Sequence, residues 1–318
     1  MQAAVVDSLG QPPRYDSFAD PQPKDGEALI RVRAAGLHPV VKAMASGSHY
    51  AASGELPAIP GVDGVGTLED GTRVFFGGAR KPFGTMCELT VAPRARCLPL
   101  PAGLDDAQAA AIVNPGMSAW LSLKERAGLA RGETVLILGA TGVAGHLAVQ
   151  AARHMGAVRV IGAGRNVDSL KGENIDAVIG LTGPEEQVRE AFAAEAANGV
   201  DVVIDFLWGR PAELLLEALA KGFRPDRART TRWVEVGESA GKTIILPGST
   251  LRSIDLRMLG SGLGSVSLQA VFNAVSTLLE TAAEGGMRVD VVPVPLKDVE
   301  AAWAREEKGR RIVFMPQM

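Results

Sequence analysis

The chain has 318 residues, room for two domains of ordinary size. Hydrophobic residues make up 47% and charged residues 22%, a balance that excludes a disordered chain. The net charge of −3 gives no basic face for nucleic acid, and no run of about 18 apolar residues is present to span a membrane.

The stretch from Met1 to Gly10 contains an acid and lacks a basic region followed by an apolar one. It is not read as a secretory signal, and a cytoplasmic protein is expected. Cys87 and Cys97 have no metal-ligand pattern around them and read as two reduced thiols. Up to about residue 116 the sequence reads as strands and turns. Residues 28–32 and 72–76 are β-rich runs, and glycine and proline interrupt the intervening sequence from Gly54 to Gly71. A helix is expected over 105–112, stopped by Pro115-Gly116.

The rhythm then changes. Six short apolar runs follow, at 134–139, 158–163, 177–181, 200–206, 232–237 and 255–260, most of them separated by helical segments. A helix over 144–155 stops before Gly156. Thr182 and Glu185 form a capping-box pattern around Pro184, and Pro211 opens a helix that ends at Gly222. This alternation predicts an α/β fold with a doubly wound parallel sheet. Beyond it, 268–283 has helical periodicity, 289–292 reads as a strand ended by Pro293, 296–306 as a helix and 311–314 as a last strand. The change of rhythm sets the expected domains: 1–116 with 259–318, and 117–258.

The sharpest local motif is Gly139, Ala140, Thr141, Gly142, Val143, Ala144 and Gly145, directly after one predicted strand and at the start of a helix. A dinucleotide diphosphate needs a tight turn, close backbone approach and a helix N-terminus facing it. The turn departs from plain G-x-G-x-x-G because Ala140 occupies its first position, where the pattern has glycine. An ordinary strand–helix turn is the alternative. At the end of the second strand an NAD-preferring site places an acid, whereas this chain reads Gly164, Arg165, Asn166, with no acid before Asp168. Arg165 is read as a clamp on a 2′-phosphate, with Asn166 as a neutral donor, so NADPH is the expected cofactor. A solvated surface arginine is the plainer alternative.

Several segments together resemble the medium-chain dehydrogenase/reductase family: Pro60-Gly61-Val62-Asp63-Gly64-Val65-Gly66, Gly84-Thr85-Met86-Cys87-Glu88-Leu89, Asn114-Pro115-Gly116-Met117-Ser118-Ala119-Trp120, the turn at 139–145, and Asp201-Val202-Val203-Ile204-Asp205-Phe206. The resemblance covers essentially the whole chain. It implies a GroES-like β-rich catalytic domain made from both chain ends, an inserted Rossmann NADP-binding domain, and an active site in the cleft between them. The zinc-dependent branch carries a Cys where this chain has His38 and a Gly-His-Glu where it has Gly61-Val62-Asp63, and the four-cysteine zinc lobe is missing. No metal is expected. The sequence looks like the zinc-free quinone oxidoreductases and enone reductases, although those relatives usually carry Asn where His38 stands.

That resemblance implies hydride transfer to a quinone or an α,β-unsaturated carbonyl. Tyr50 matches a tyrosine near the substrate in the relatives and is the leading proton or hydrogen-bond donor; a packing aromatic is the alternative. His38 supports substrate or nicotinamide ribose, or is a structural histidine before Pro39. Ser118 aligns with a hydroxyl residue at the nicotinamide amide, or caps a helix. Phe206, Leu207 and Trp208 follow the fourth strand, Gly237 the fifth, and Ser261 and Gly262 the sixth, all expected at the coenzyme. A homodimer through the last strand of the Rossmann sheet is expected by analogy. Two readings compete: an enoyl-thioester reductase, which needs basic residues for a phosphopantetheine arm, and a non-catalytic NADPH-binding sensor or structural protein.

Overall fold

The computed structural model describes residues 1–49, 52, 55–222, 229–262 and 264–317. Tyr50 lies outside the described residues. The chain divides into two units, Met1–Asn114 with Ser276–Met318, and Pro115–Val275.

The first unit opens with β1 (Gln2–Val5), β2 (Arg14–Ser17), β3 (Glu27–Gly36), α1 (Pro39–Ala45), β4 (Asp63–Thr67), β5 (Arg73–Gly77), β6 (Leu89–Pro93) and β7 (Cys97–Pro99), followed by α2 (Asp106–Leu121). In β3, Ala28, Ile30, Val32 and Ala34 are buried and alternate with more exposed Leu29, Arg31 and Arg33. That period of two gives the strand one core face. The core gathers Ile30, Val32, Phe76, Val91, Ile312 and Phe314. Asp106 starts α2 and is held by Arg33 and Arg73. Both cysteines are free, Cys87 buried deep enough to push its thiol well above the ordinary range.

The second unit holds β8 (Thr134–Leu138), α3 (Val143–His154), β9 (Arg159–Gly164), β10 (Ala177–Gly180), α4 (Glu185–Asn198), β11 (Val202–Asp205), α5 (Gly209–Lys221), β12 (Thr231–Glu235), α6 (Gly248–Ser253) and β13 (Leu256–Gly260). All six strands are parallel, in the order β10-β9-β8-β11-β12-β13. All five residues of β8 are buried, as expected of a central strand covered on both faces. The order reverses between β8 and β11, where a doubly wound sheet opens its ligand crevice.

The chain continues through α7 (Leu268–Ala283) and returns to the first unit with β14 (Asp290–Pro295), α8 (Val299–Trp303) and β15 (Arg310–Met315). These strands complete a seven-stranded sheet, β14-β15-β3-β4-β5-β7 with β6 also on β3. The expected α/β class, a β-rich sheet plus a doubly wound one, is observed.

Several local expectations need correction. The break at Pro115-Gly116 does not occur: α2 runs through both residues to Leu121. A proline inside a helix costs about 3 kcal/mol, which the burial of Ile112, Val113, Ala119, Trp120 and Leu121 offsets. The Thr182–Glu185 capping box does not form. Pro184 is the N-cap of α4, and the Glu185 carboxylate accepts instead from Arg189 and Arg210. Pro293 does not end its strand, because β14 is an edge strand bonded only to β15, where a missing N–H is tolerated. The helix read over 296–306 shortens to a 3-10 turn, Leu296–Asp298, and α8. Residue 258, an expected border, falls inside β13, whose pairing with β12 keeps it in the parallel sheet.

Candidate functional site

The carboxyl edge of the parallel sheet is built first by the turn after β8. Gly139 takes φ +89°, a conformation natural to glycine. Gly145, in the first turn of α3, has no room for a side chain: a Cβ there would lie 2.2 Å from the Gly139 carbonyl oxygen. The helix therefore closes tightly on the turn. Gly142 is the N-cap of α3 and provides no side-chain cap. The first-turn N–H groups of Val143, Ala144 and Gly145 precede the intrahelical ladder, so they are donors for an anion. Ala140 is buried, while Thr141, Val143 and Ala144 are half-buried and Gly142 exposed.

Neighbouring strand ends continue this edge. Thr141 packs on Gly164 at the end of β9, where a Cβ would meet the threonine methyl at 2.4 Å. Arg165 and Asn166 follow and are exposed. The next acid, Asp168, is paired with Lys171 at 2.7 Å, and that ammonium holds its carboxyl below the ordinary range. Phe206, Leu207 and Trp208 follow β11, half-buried, with Leu207 against Gly139. Gly237 follows β12 beside the Phe206 carbonyl. After β13, Ser261 donates its N–H to the Glu235 carbonyl at 2.8 Å, and the Gly262 N–H bonds the Ser265 hydroxyl at 2.9 Å. Thus every strand-end residue expected at a coenzyme stands on one edge of one sheet. Ser118 is not at a strand end. It is within α2, away from any N-cap, and its carbonyl accepts the Ser122 hydroxyl at 2.7 Å.

In the first unit, His38 precedes α1 with its side chain fully buried. Its Nε2 lies 3.2 Å from Asp63 Oδ1 on β4, and Asp63 Oδ2 accepts from Asn114 Nδ2 at 3.1 Å. A carboxylate only accepts, so this pairing assigns the ring hydrogen to Nε2 and leaves Nδ1 as the acceptor end. Nδ1 is buried and makes no hydrogen bond. The ring fits only because Gly36 is bare: a Cβ there would lie 2.4 Å from Nε2. Arg311 completes the cluster. It donates to the Leu37 carbonyl at 2.8 Å, and burial pushes its guanidinium down to about 10 against the opposing pull of Asp63. Lys42 is half-buried, its ammonium held below the ordinary range by burial, and it reaches the Arg305 carbonyl at 3.4 Å.

Beside this cluster opens a cavity of about 310 Å³, walled by Lys42, Arg305, Lys308, Arg310 and Arg311 against Glu306 and Glu307. Asp63 and Asn114 are functional candidates that sequence reasoning left without a role. The available signal was an acid inside the glycine- and valine-rich run of β4, since a carboxylate buried there demands a partner.

No family model matches the sequence. A probable NADPH-dependent quinone reductase of Emericella nidulans is 29% identical over 361 residues, covering 99% of this chain and 100% of that protein. The quinone oxidoreductase of Sus scrofa is 30% identical over 306 residues, covering 91% of this chain and 87% of that protein. The chain belongs to the quinone oxidoreductase family of medium-chain dehydrogenases/reductases. It is an oxidoreductase of that family. The quinone oxidoreductase of Thermus thermophilus, solved alone and with NADPH, superposes with a TM-score of 0.79 at 28% identity, covering 99% of this chain and 100% of that one. Among the described residues no helix is long and apolar enough to cross a membrane.

Proposed function

We propose that this quinone oxidoreductase-family enzyme uses NADPH to reduce a quinone or an α,β-unsaturated carbonyl, without zinc. The observation that carries the reading is the turn at 139–145, closed on α3 by the Gly145 contact and standing at the strand-order reversal. NADPH, when bound, supplies the hydride. The open amides of Val143 and Ala144 bind the diphosphate. Arg165 and Asn166 hold the 2′-phosphate, and the next acid along the chain, Asp168, is paired with Lys171. Phe206, Leu207, Trp208, Gly237, Ser118, Ser261 and Gly262 line the rest of the coenzyme.

At the acceptor, one proton must follow the hydride to the oxygen that gains charge. Tyr50 donates it or a hydrogen bond. His38, held by Asp63, itself bonded to Asn114, supports the substrate or the nicotinamide ribose in this reading. Where zinc enzymes of the wider family place metal ligands, this chain places a histidine already engaged by a carboxylate. A cytoplasmic homodimer accompanies this reading.

The test is oxidation of NADPH and NADH by metal-stripped protein, with quinones, enones and enoyl thioesters as acceptors. Chelator-resistant turnover that prefers NADPH supports the reading. Turnover lost on chelation and restored by zinc sinks it, and silence across the panel turns the reading to a sensor. The cationic cavity keeps the thioester reading in view, because a coenzyme A substrate brings phosphates. Charge reversal at Lys308 that raises KM for a thioester and spares KM for a simple enone and for NADPH would choose it.

A further inference from the structure

Asp205 closes β11 with a fully buried side chain, the one acid in a strand otherwise of valine and isoleucine. Its Oδ1 accepts the N–H groups of Leu207 at 2.8 Å and Trp208 at 2.9 Å. Its backbone carbonyl accepts those of Val236 at 2.8 Å and Gly237 at 3.2 Å. One residue therefore fastens two consecutive loops at the carboxyl edge. The loops are also laced to each other: the Phe206 carbonyl accepts the Ser239 hydroxyl at 2.8 Å, and the Leu207 carbonyl accepts the Ala240 N–H at 2.7 Å.

The segment so held is strained. Trp208 has φ +54° and ψ −158°, and it is the only non-glycine residue with positive φ among the described residues. Such a conformation costs about 1–3 kcal/mol and persists where the surroundings over-determine it. The paired bonds to Asp205 do that at Leu207 and at Trp208 itself. Gly209 follows at φ +59°, so close to the second loop that a Cβ would lie 2.7 Å from the Ala240 carbonyl. On the other side Leu207 packs on Gly139, its side chain 3.2 Å from where a Cβ would stand. The strained loop thus forms one wall of the phosphate turn.

We propose that Asp205 is a positioning residue for NADPH, its carboxylate holding residues 206–209 in the strained form that seats the coenzyme beside Gly139. This rests on the NADPH reading above. The groups facing the carboxylate are few. From β12 come the Trp233 indole and Glu235, whose own carboxyl burial raises. β8 carries no titratable side chain, and Arg210 at the start of α5 is taken by Glu185 and Glu213. Burial pushes Asp205 up to about 6, against the pull of the two backbone donors. The carboxylate is therefore ionised at neutral pH and gains its proton in mild acid, where its hold on the two N–H groups weakens.

The experiment is calorimetric titration of NADPH into wild-type protein, Asp205→Asn and Asp205→Ala from about pH 5.5 to about pH 8, with circular dichroism to confirm folding. The difference between wild type and Asp205→Asn is read, which cancels the 2′-phosphate's own titration near pH 6. Asp205→Asn keeps an accepting oxygen and loses the charge. We expect it to bind NADPH about fivefold more weakly at pH 8 and to converge on wild type in acid, with KM for NADPH rising more than kcat falls. Asp205→Ala should lose about tenfold or more. A purely structural role would lower the melting temperature and leave this pH-dependent difference at zero. Asp205→Asn with wild-type affinity across the range overturns the assignment. Should the variants not fold, backbone amide exchange at Leu207 and Trp208 in the wild type decides: protection that falls through pH 6 supports it, and pH-independent opening overturns it. Wild type that binds no NADPH overturns the cofactor reading, and this assignment with it.

Discussion

The carboxyl edge of the parallel sheet and the polar cluster around His38 are built on different principles. The phosphate turn on that edge is made chiefly of backbone: glycines, helix N–H groups and short side chains that leave room. The cluster is made of side chains from four places, the β3–α1 loop, β4, α2 and β15, joined by buried polar contacts. A site made of backbone depends on small residues being kept small. A site made of buried polar side chains depends on none of its partners being removed, since an orphaned charge or amide cannot return to water. The two regions should therefore fail differently.

The largest effect is expected in the cluster. Asp63→Ala leaves His38 Nε2 and Asn114 Nδ2 unpaired in the core and should destabilise the protein by about 3 kcal/mol, read by urea unfolding. Asp63→Asn should recover part of that loss. Gly145→Ala is the matching test at the edge. Its methyl would collide with the Gly139 carbonyl, so NADPH affinity should fall about 100-fold with a smaller loss of stability. If Gly145→Ala instead unfolds the protein and leaves the affinity of the folded fraction unchanged, the contrast between the regions is wrong. Arg165→Ala should raise KM for NADPH about tenfold and leave KM for NADH and the melting temperature unchanged, because the side chain is exposed. A further effect separates the regions by pH. The carboxyl of Asp205 sits above its unfolded value of 3.8, so its contribution is fully present below that value and is lost as pH rises through about 6. Compared with Asp205→Asn, wild type should lose about 2 kcal/mol between about pH 4 and pH 7, read by chemical denaturation.

This division also explains what could be read in the sequence. The edge was legible because its parts are contiguous: a strand, a glycine turn and a helix follow one another, and parallel strands bring the later loops to the same edge. The alternation from 134 to 260 predicts that arrangement. The cluster was not legible, because the bonding of His38 to Asp63 and of Asp63 to Asn114 is set by tertiary packing across long sequence separations. Pro115 shows the same limit in a local form. Proline chemistry predicts a break, but a helix buried along its length keeps its course. Glu185 fits a capping box by spacing, yet two arginines compete for it, one of them from α5. Asp205 lies within one of the family-like segments, yet nothing local shows that its carboxylate turns back to the next loop.

The prolines of β14 have a consequence beyond that strand. Pro293 and Pro295 leave two of its six positions without an N–H, on the outermost strand of the seven-stranded sheet. An incoming strand from another molecule would find fewer donors there and would pair poorly. The first unit thus carries its own guard against sheet growth and aggregation at an edge that would otherwise invite it.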